Sequence, residues 1–317
     1  MECRRAPWCS ISSKDNLLPH RSSGQLAVST GFFPVQDYAL AETLTSGQAF
    51  RWRLKSGGWE SVLSEHWVRL EEEGGGIRAS VMGKKQDWNW LREYLQLDVQ
   101  LRDVTSTFPD DEHLANAVRE CRGLRLLKQD PWECLASFIL SSTKQIVQIQ
   151  QIVTLLCARF GEPVAAAGDG EWYTFPSVKR IAELSEAELR DCKMGFRAPY
   201  LKGSAEMILR GALDLEAIRK MEVACAREEL MRLPGVGRKI ADCVLLFAYG
   251  FQDAFPVDVW VLKAIRQLYF PRRRPNAKKV LKFTESYFGP NAGYAQQYLF
   301  HYMRTRIGRD GRKSDKD

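Results

Sequence analysis

The sequence contains no apolar run near the roughly 18 uncharged residues that a membrane-spanning helix needs, and its longest, around Val244 to Phe251, suits a buried helix. A membrane partner is therefore not expected. The eight cysteines stand singly, at 3, 9, 121, 134, 157, 192, 225 and 243, with no C-x-x-C pair and no histidine cluster beside them. This arrangement signals neither a zinc site nor a disulfide framework, so no metal and no cofactor is expected, and a reducing, intracellular compartment fits. No secretory apolar region follows Met1, and residues 1–24, rich in Ser and Arg but also carrying acids, read as a loose tail. Disorder is excluded by a hydrophobic content of 45% and nine Trp. The 317 residues allow two or three domains and a core that needs no staples. A net charge of +7 favours a polyanionic partner, although a charge excess of this size also describes an ordinary solvated surface.

The periodicity points to an α+β fold. From Gln25 to about Met82 the pattern has period two: Phe50 and Trp52 point one way, and Val68 and Leu70, then Ile77, Ala79 and Val81, flank a Glu-Glu-Glu-Gly-Gly-Gly turn as in an antiparallel hairpin with one buried face. Residues 25–110 are read as an antiparallel sheet domain whose last segment leads into helices. From Trp88 onward the period is 3.6, and helix starts stand at Asp130-Pro131, at the capping box Ser185-Glu186-Ala187-Glu188 and at Asp214. Residues 111–306 are accordingly helical. Arg304 opens a basic stretch, and 307–317 read as a basic tail.

The most informative segment is Leu233-Pro-Gly-Val-Gly-Arg-Lys-Ile-Ala-Asp-Cys243. A helix Asp214–Arg232 is expected to run into the Pro-Gly-x-Gly turn, with a second helix starting near Arg238, so that a helical hairpin spans about 214–250. Gly235 and Gly237 permit positive φ and close backbone approach, and bare amides at a helix N-terminus beside basic residues suit one DNA phosphate. An ordinary helix-helix corner accounts for the glycines but not for the accompanying Arg238 and Lys239. Lys239 falls in the first turn of the second helix, where the helix dipole disfavours a cation and Ile240, Ala241, Val244 and Leu245 desolvate it. That position suits a neutral amine used as a nucleophile. Nineteen residues on comes Pro256-Val257-Asp258, where Asp258 is either the N-cap of a helix Val259–Tyr269 or a carboxylate facing the amine. An amine and a carboxylate at the mouths of two helices are what cleavage of an N-glycosidic bond requires: an anion to stabilise positive charge on the sugar, and a nucleophile to capture C1′ as a Schiff base.

These motifs resemble the helix-hairpin-helix Gly/Pro-Asp DNA glycosylase superfamily and, from about Phe33 to Arg306, its 8-oxoguanine branch. The stretch Ser46-Gly-Gln-Ala-Phe-Arg-Trp-Arg53 resembles that branch's N-terminal signature, Gly195-Phe196-Arg197-Ala198 its Tyr/Phe-Arg loop, and Ala295-Gln-Gln-Tyr-Leu-Phe300 its pocket helix. The resemblance implies a sheet domain plus two helical domains with the active site in the cleft between the helical domains. It further implies a monomer acting on double-stranded DNA with a damaged base, in the nucleus of a eukaryote or in the cytoplasm and nucleoid of a bacterium. Lys239 is then the nucleophile and Asp258 its assisting carboxylate. Gly47 offers its carbonyl to the N7–H that distinguishes 8-oxoguanine, Cys243 and Phe300 sandwich the flipped base, and Gln296 bonds its Watson–Crick edge. Phe196, Arg197, Thr143, Gly235, Gly237 and Arg238 contact DNA.

Departures from the family pattern are equally specific. Thr143-Lys144-Gln145 and Gln148 replace an Asn run and an Arg that read the orphaned cytosine, so opposite-base selectivity is expected to be looser. Trp260 stands where the family has a His, and Met303 where it has an Asp. No Cys follows Cys243, which excludes the iron–sulfur cluster of other superfamily members, and Lys239 sets the chain apart from members that remove alkylated bases without a lysine. Two alternatives stand beside this reading: a catalytically silent helix-hairpin-helix module, and a related glycosylase with another lesion preference.

Overall fold

The structure, a computed structural model, describes residues 27–83, 87–167, 170–273 and 275–313, so the expected N-terminal tail lies outside it. Five antiparallel strands, β1 (Val28–Pro34), β2 (Arg53–Lys55), β3 (Gly58–Leu63), β4 (His66–Glu73) and β5 (Gly76–Met82), form a sheet in the order β1-β5-β4-β3-β2. The expected hairpin is β4–β5. Glu73 pairs with Gly76, and Gly74 and Gly75 between them both take positive φ, the backbone a two-residue hairpin turn demands. Pairing Val68 with Val81 and Leu70 with Ala79 gathers the alternate apolar residues on one face. That face is covered by the helices Leu40–Thr45 and Asn89–Leu95, whose Leu40, Leu44, Leu91 and Leu95 are fully buried against it.

Phe50 and Trp52 do not share a strand face. Residues 46–52 cross between two cores: the Phe50 ring meets Phe138 edge-on at 5.5 Å in the helical core, whereas Trp52 enters the sheet core and donates its indole N–H to Tyr94 Oη at 2.9 Å. Buried Gln48 fixes this crossing by donating to the carbonyls of Thr43 and Arg125 and accepting from the Leu127 amide at 2.7 Å. Arg51 pairs with partly buried Glu133 at 3.2 Å.

Beyond residue 111 the chain is mostly helical and buries one continuous core, but the expectation of helix throughout is corrected by a short antiparallel pair, Pro163–Val164 with Trp172–Tyr173. Asp130 and Ser185 cap their helices as expected, accepting from the amides of Glu133 and Glu188. Asp214 does not open a long helix. Its carboxylate accepts from the Glu216 amide, a single turn Ala217–Lys220 follows, and Met221 and Glu222 are extended before the helix Val223–Met231. A start signal marks where a helix can nucleate and says nothing of how far tertiary packing lets it run. Residues 307–313 of the expected basic tail continue the C-terminal helix Ala292–Lys313, and 314–317 lie outside the described residues. No helix among the described residues is long and apolar enough to cross a membrane, and no three His, Cys, Asp or Glu side chains gather there as around a metal.

The C-terminal helix stitches the two parts together. Gln297 donates to Ser46 O, Tyr298 to Leu124 O and Arg304 to Thr45 O. His301 is buried on the same helix with Nδ1 unpartnered, and burial lowers its imidazole to about 4, with the Arg304 charge acting in the same direction. An unfolded His binds its proton as pH falls through about 6.5, whereas folded His301 stays neutral down to about 4, so acidification through this window favours unfolding. His301 should therefore remove roughly 2–3 kcal/mol of stability between pH 6.5 and 4. Denaturant melts at the two pH values should show a smaller loss for His301→Leu than for the wild type, and equal losses would contradict the assignment.

Candidate active site

The hairpin turn is built by steric exclusion at Gly235. Its φ is +75°, and a Cβ there would lie 2.6 Å from the Tyr200 ring, so any larger residue must displace Tyr200. Gly237 caps the second helix, Arg238–Val244, with no side-chain cap and open space where a Cβ would be, leaving the first amides accessible. The Arg238 guanidinium is not part of that opening. It donates to Glu285 at 2.6 Å and lies 3.6 Å from Asp242, which also holds Arg227. Its side-chain charge is thus already neutralised, and its backbone amide is the group available to a phosphate.

Lys239 extends from the first turn into a cavity of about 760 Å3 lined by Gly47, Phe138, Ser141, Asp258, Trp260 and Phe300 among others. Its Nζ is 3.3 Å from Ser141 Oγ and 5.2 Å from the centre of the Phe138 ring. The Ser141 hydroxyl donates to Phe138 O at 2.7 Å, so it presents a lone pair to Lys239. Asp258 resolves the two readings of its position by serving both. Its Oδ1 caps the helix Val259–Ala264 by accepting from the Val261 amide at 2.8 Å, and the same residue lines the cavity. Burial raises its carboxyl above the ordinary value, opposed by the Val261 and Trp260 amides and by the Lys239 charge. No ion pair closes between Lys239 and Asp258, so the amine is not locked in a salt bridge.

The residues expected to hold the base are partly preassembled. Gly47 has φ +82°, and a Cβ there would fall 2.9 Å from Ile146 Cδ1 and 3.3 Å from the Phe300 ring. Phe300 lines the cavity as expected. Cys243 and Gln296 are buried and are not among the residues that line it. Burial raises the Cys243 thiol to about 12, with Lys239 pulling the other way, so it is an apolar thiol in contact with the amine and not a second nucleophile. Gln296 Oε1 is buried without a hydrogen-bond partner, an unmet acceptor of the kind that a ligand satisfies.

The Tyr/Phe-Arg loop is folded inward. Phe196 is half exposed, but Arg197 is buried beneath it, donating to Met194 O, Ser142 O and Thr143 Oγ1 while its guanidinium lies 4.2 Å from the Phe196 ring centre. Arg197 thereby holds the turn at Thr143, a β-branched residue at φ +56° where such side chains are strained. Gln148 accepts from the Gln145 amide at the start of its helix. Two residues went unnoticed in the sequence. Ser141 is one of many serines with nothing local to single it out. Arg304 was counted with the basic tail, yet it is partly buried and lines the cavity.

In a second cavity, about 330 Å3, Arg51 is paired with Glu133 and Lys128 with Glu93.

Comparison with known proteins agrees with this geometry. Residues 32–135 match the model of the 8-oxoguanine DNA glycosylase N-terminal domain, and residues 136–290 that of the HhH-GPD superfamily of base excision DNA repair proteins. A probable N-glycosylase/DNA lyase of Methanothermobacter thermautotrophicus is 31% identical over 300 residues, covering 86% of this chain and 95% of that protein. The N-glycosylase/DNA lyase OGG1 of Arabidopsis thaliana is 30% identical over 85% of this chain and 79% of its own length. The 8-oxoguanine glycosylase/lyase of Clostridium acetobutylicum, in complex with double-stranded DNA containing cytosine opposite 8-oxoguanine, superposes with a TM-score of 0.82 at 31% identity over 89% of this chain and 98% of that one. With both halves of the chain matched in order, and the lysine, the aspartate and the hairpin meeting in one cleft, the chain belongs to the 8-oxoguanine glycosylase branch of the helix-hairpin-helix N-glycosylase/DNA lyases.

Proposed function

We propose that this DNA N-glycosylase/lyase excises 8-oxoguanine from duplex DNA as a monomer, with Lys239 as nucleophile and Asp258 as the carboxylate that stabilises the sugar. The observation that carries the reading is the placement of the Lys239 amine beside a desolvated carboxylate in a largely apolar cavity whose rim includes Gly47 and Phe300. The amides at Gly237 and Arg238 grip a phosphate, and the flipped base enters between Phe300 and the Cys243 side of the cavity. Gly47 O accepts the N7–H of the oxidised base, and Gln296 Oε1 accepts from its Watson–Crick edge. Lys239 Nζ then attacks C1′. The bond from C1′ to the base breaks, and the base leaves with the bonding electrons and takes up a proton. Asp258 stabilises the positive charge that develops on the sugar. Ring opening and proton loss from nitrogen give the Schiff base, after which removal of a C2′ proton expels the 3′ phosphate by β-elimination.

Lys239→Gln removes the nucleophile and keeps the hairpin, so base excision and strand cleavage should both vanish while duplex affinity stays near that of the wild type. Strand cleavage by the purified variant at a near wild-type rate would sink the assignment.

Asp258 acts as an anion, and burial raises its carboxyl. The acidic limb of the excision rate should therefore lie above the ordinary aspartate value of about 3.9 and report protonation of Asp258. In Asp258→Asn the amide oxygen can still cap the helix, so the fold should survive, the rate should drop by about a hundredfold or more, and that limb should disappear. An unchanged limb in the Asn variant would assign it to another group.

Opposite the lesion, two of the side chains that could read the orphaned base are already engaged. Thr143 Oγ1 accepts from Arg197, and Gln148 Oε1 from the Gln145 amide. Each good polar base contact contributes roughly 1–3 kcal/mol of discrimination, so losing one or two should narrow the preference for cytosine by about one to three orders of magnitude. Single-turnover rates on four duplexes differing only in the opposite base measure this directly, and strict dependence on cytosine would mean that Arg197 leaves its turn to read it.

A further inference from the structure

Four consecutive carbonyls run from Thr45 to Gln48, and of these residues Gly47 lines the cavity. Thr45 O accepts from Arg304 Nη2 at 2.7 Å, Ser46 O from Gln297 Nε2 at 3.1 Å, and Gln48 O from Gln129 Nε2 at 2.8 Å. Gly47 O is the one member of the set that takes no hydrogen bond from a described residue. Three side chains from distant parts of the chain thus hold the flanking carbonyls and leave the fourth for a ligand.

Arg304 differs from the other two holders because it also reaches the Phe300 ring of the cavity wall. Its guanidinium lies 5.7 Å from the centre of the Phe300 ring, whose edge would be 3.3 Å from a Cβ on Gly47. One cation therefore spans from the carbonyl two residues before Gly47 to the face of Phe300. It has no carboxylate partner among the described residues, and burial lowers its guanidinium with no acid to oppose the effect. Keeping an unpaired cation partly desolvated at this seam is costly unless its hydrogen bond and ring contact return something that an apolar residue would not.

We propose that Arg304 is a positioning residue for lesion recognition, setting the reading carbonyl of Gly47 and the stacking face of Phe300 at a fixed separation. The proposal rests on the reading that Gly47 and Phe300 hold the flipped base. Arg304 touches neither the base nor the sugar in this role. Its effect comes from the steepness of hydrogen-bond geometry: a carbonyl displaced by about 1 Å from 2.8 Å no longer accepts a useful bond. An abasic site has no base to be read, so its processing by Lys239 does not depend on that separation.

The test compares full-length wild type, Arg304→Met and Arg304→Lys on two duplexes, one with 8-oxoguanine and one with an abasic site, each opposite cytosine. Arg304→Met should slow single-turnover base excision by about ten- to a hundredfold, the range expected for losing one charge-assisted hydrogen bond. Cleavage at the abasic site should stay within about threefold of wild type, and Arg304→Lys, which keeps a donor and a charge, should recover part of the excision rate. The salt dependence of affinity for a duplex carrying a tetrahydrofuran abasic analogue should not change. Equal losses of excision and abasic cleavage in both variants, or a salt slope reduced by about one phosphate contact, would overturn the proposal in favour of Arg304 gripping DNA. Full excision by Arg304→Met would overturn it outright. A wild type that removes guanine as fast as 8-oxoguanine would instead count against the reading of Gly47.

Discussion

A carboxylate in a largely apolar cavity is unstable as an anion unless something other than water solvates it. Here the solvation comes from the start of a helix: the Val261 amide donates to Asp258 Oδ1, and the Trp260 amide adds to it. Burial still raises the carboxyl, which shows that the amides offset only part of the desolvation cost. The helix cap and the carboxylate of the cavity are therefore one device. Placing Asp258 at the end of the helix Val259–Ala264 fixes the anion, and placing Lys239 in the first turn of the hairpin's second helix brings the amine to the same cavity. Ser141, whose hydroxyl proton is committed to Phe138 O, accepts from the amine without competing for its role.

The second constraint is the seam between sheet and helices. Residues 46–52 cross it, sending Phe50 into one core and Trp52 into the other, with Gln48 satisfied on both its donor and acceptor sides. The cavity opens along this seam, so the packing that joins the two parts also sets its shape. Gly47 can stand there only because it tolerates φ +82° and leaves no side chain in the space between Ile146 and Phe300. The C-terminal helix completes the wall, and its polar residues Gln297 and Arg304 tie it to the same loop.

What could be read in the sequence follows from how local each signal is. The hairpin was legible because Pro234, Gly235 and Gly237 carry their backbone requirements with them, and β4–β5 because two glycines interrupt an alternating pattern. Asp258 was legible as a cap from its position before Val259. Ser141 and Arg304 were not, since their partners lie 98 and 259 residues away in the chain and neither stands in a patterned motif. The length of the helix after Asp214 was not legible either: the backbone is extended at Met221 and Glu222 although neither Gly nor Pro stands between Asp214 and Val223. Arg197 shows the limit in another direction. A loop arginine read as facing DNA is, in the free protein, the clamp on a strained turn at Thr143.

The claim on which the account turns is that the Lys239 amine forms the covalent bond to the sugar. Borohydride reduction of the wild-type protein on a duplex containing 8-oxoguanine, followed by proteolysis and mass spectrometry of the DNA-linked peptide, tests it most directly. The account predicts a single trapped peptide carrying the deoxyribose remnant on Lys239. A remnant on Lys144, the other cavity lysine, or no trapped species while base release proceeds, would contradict it.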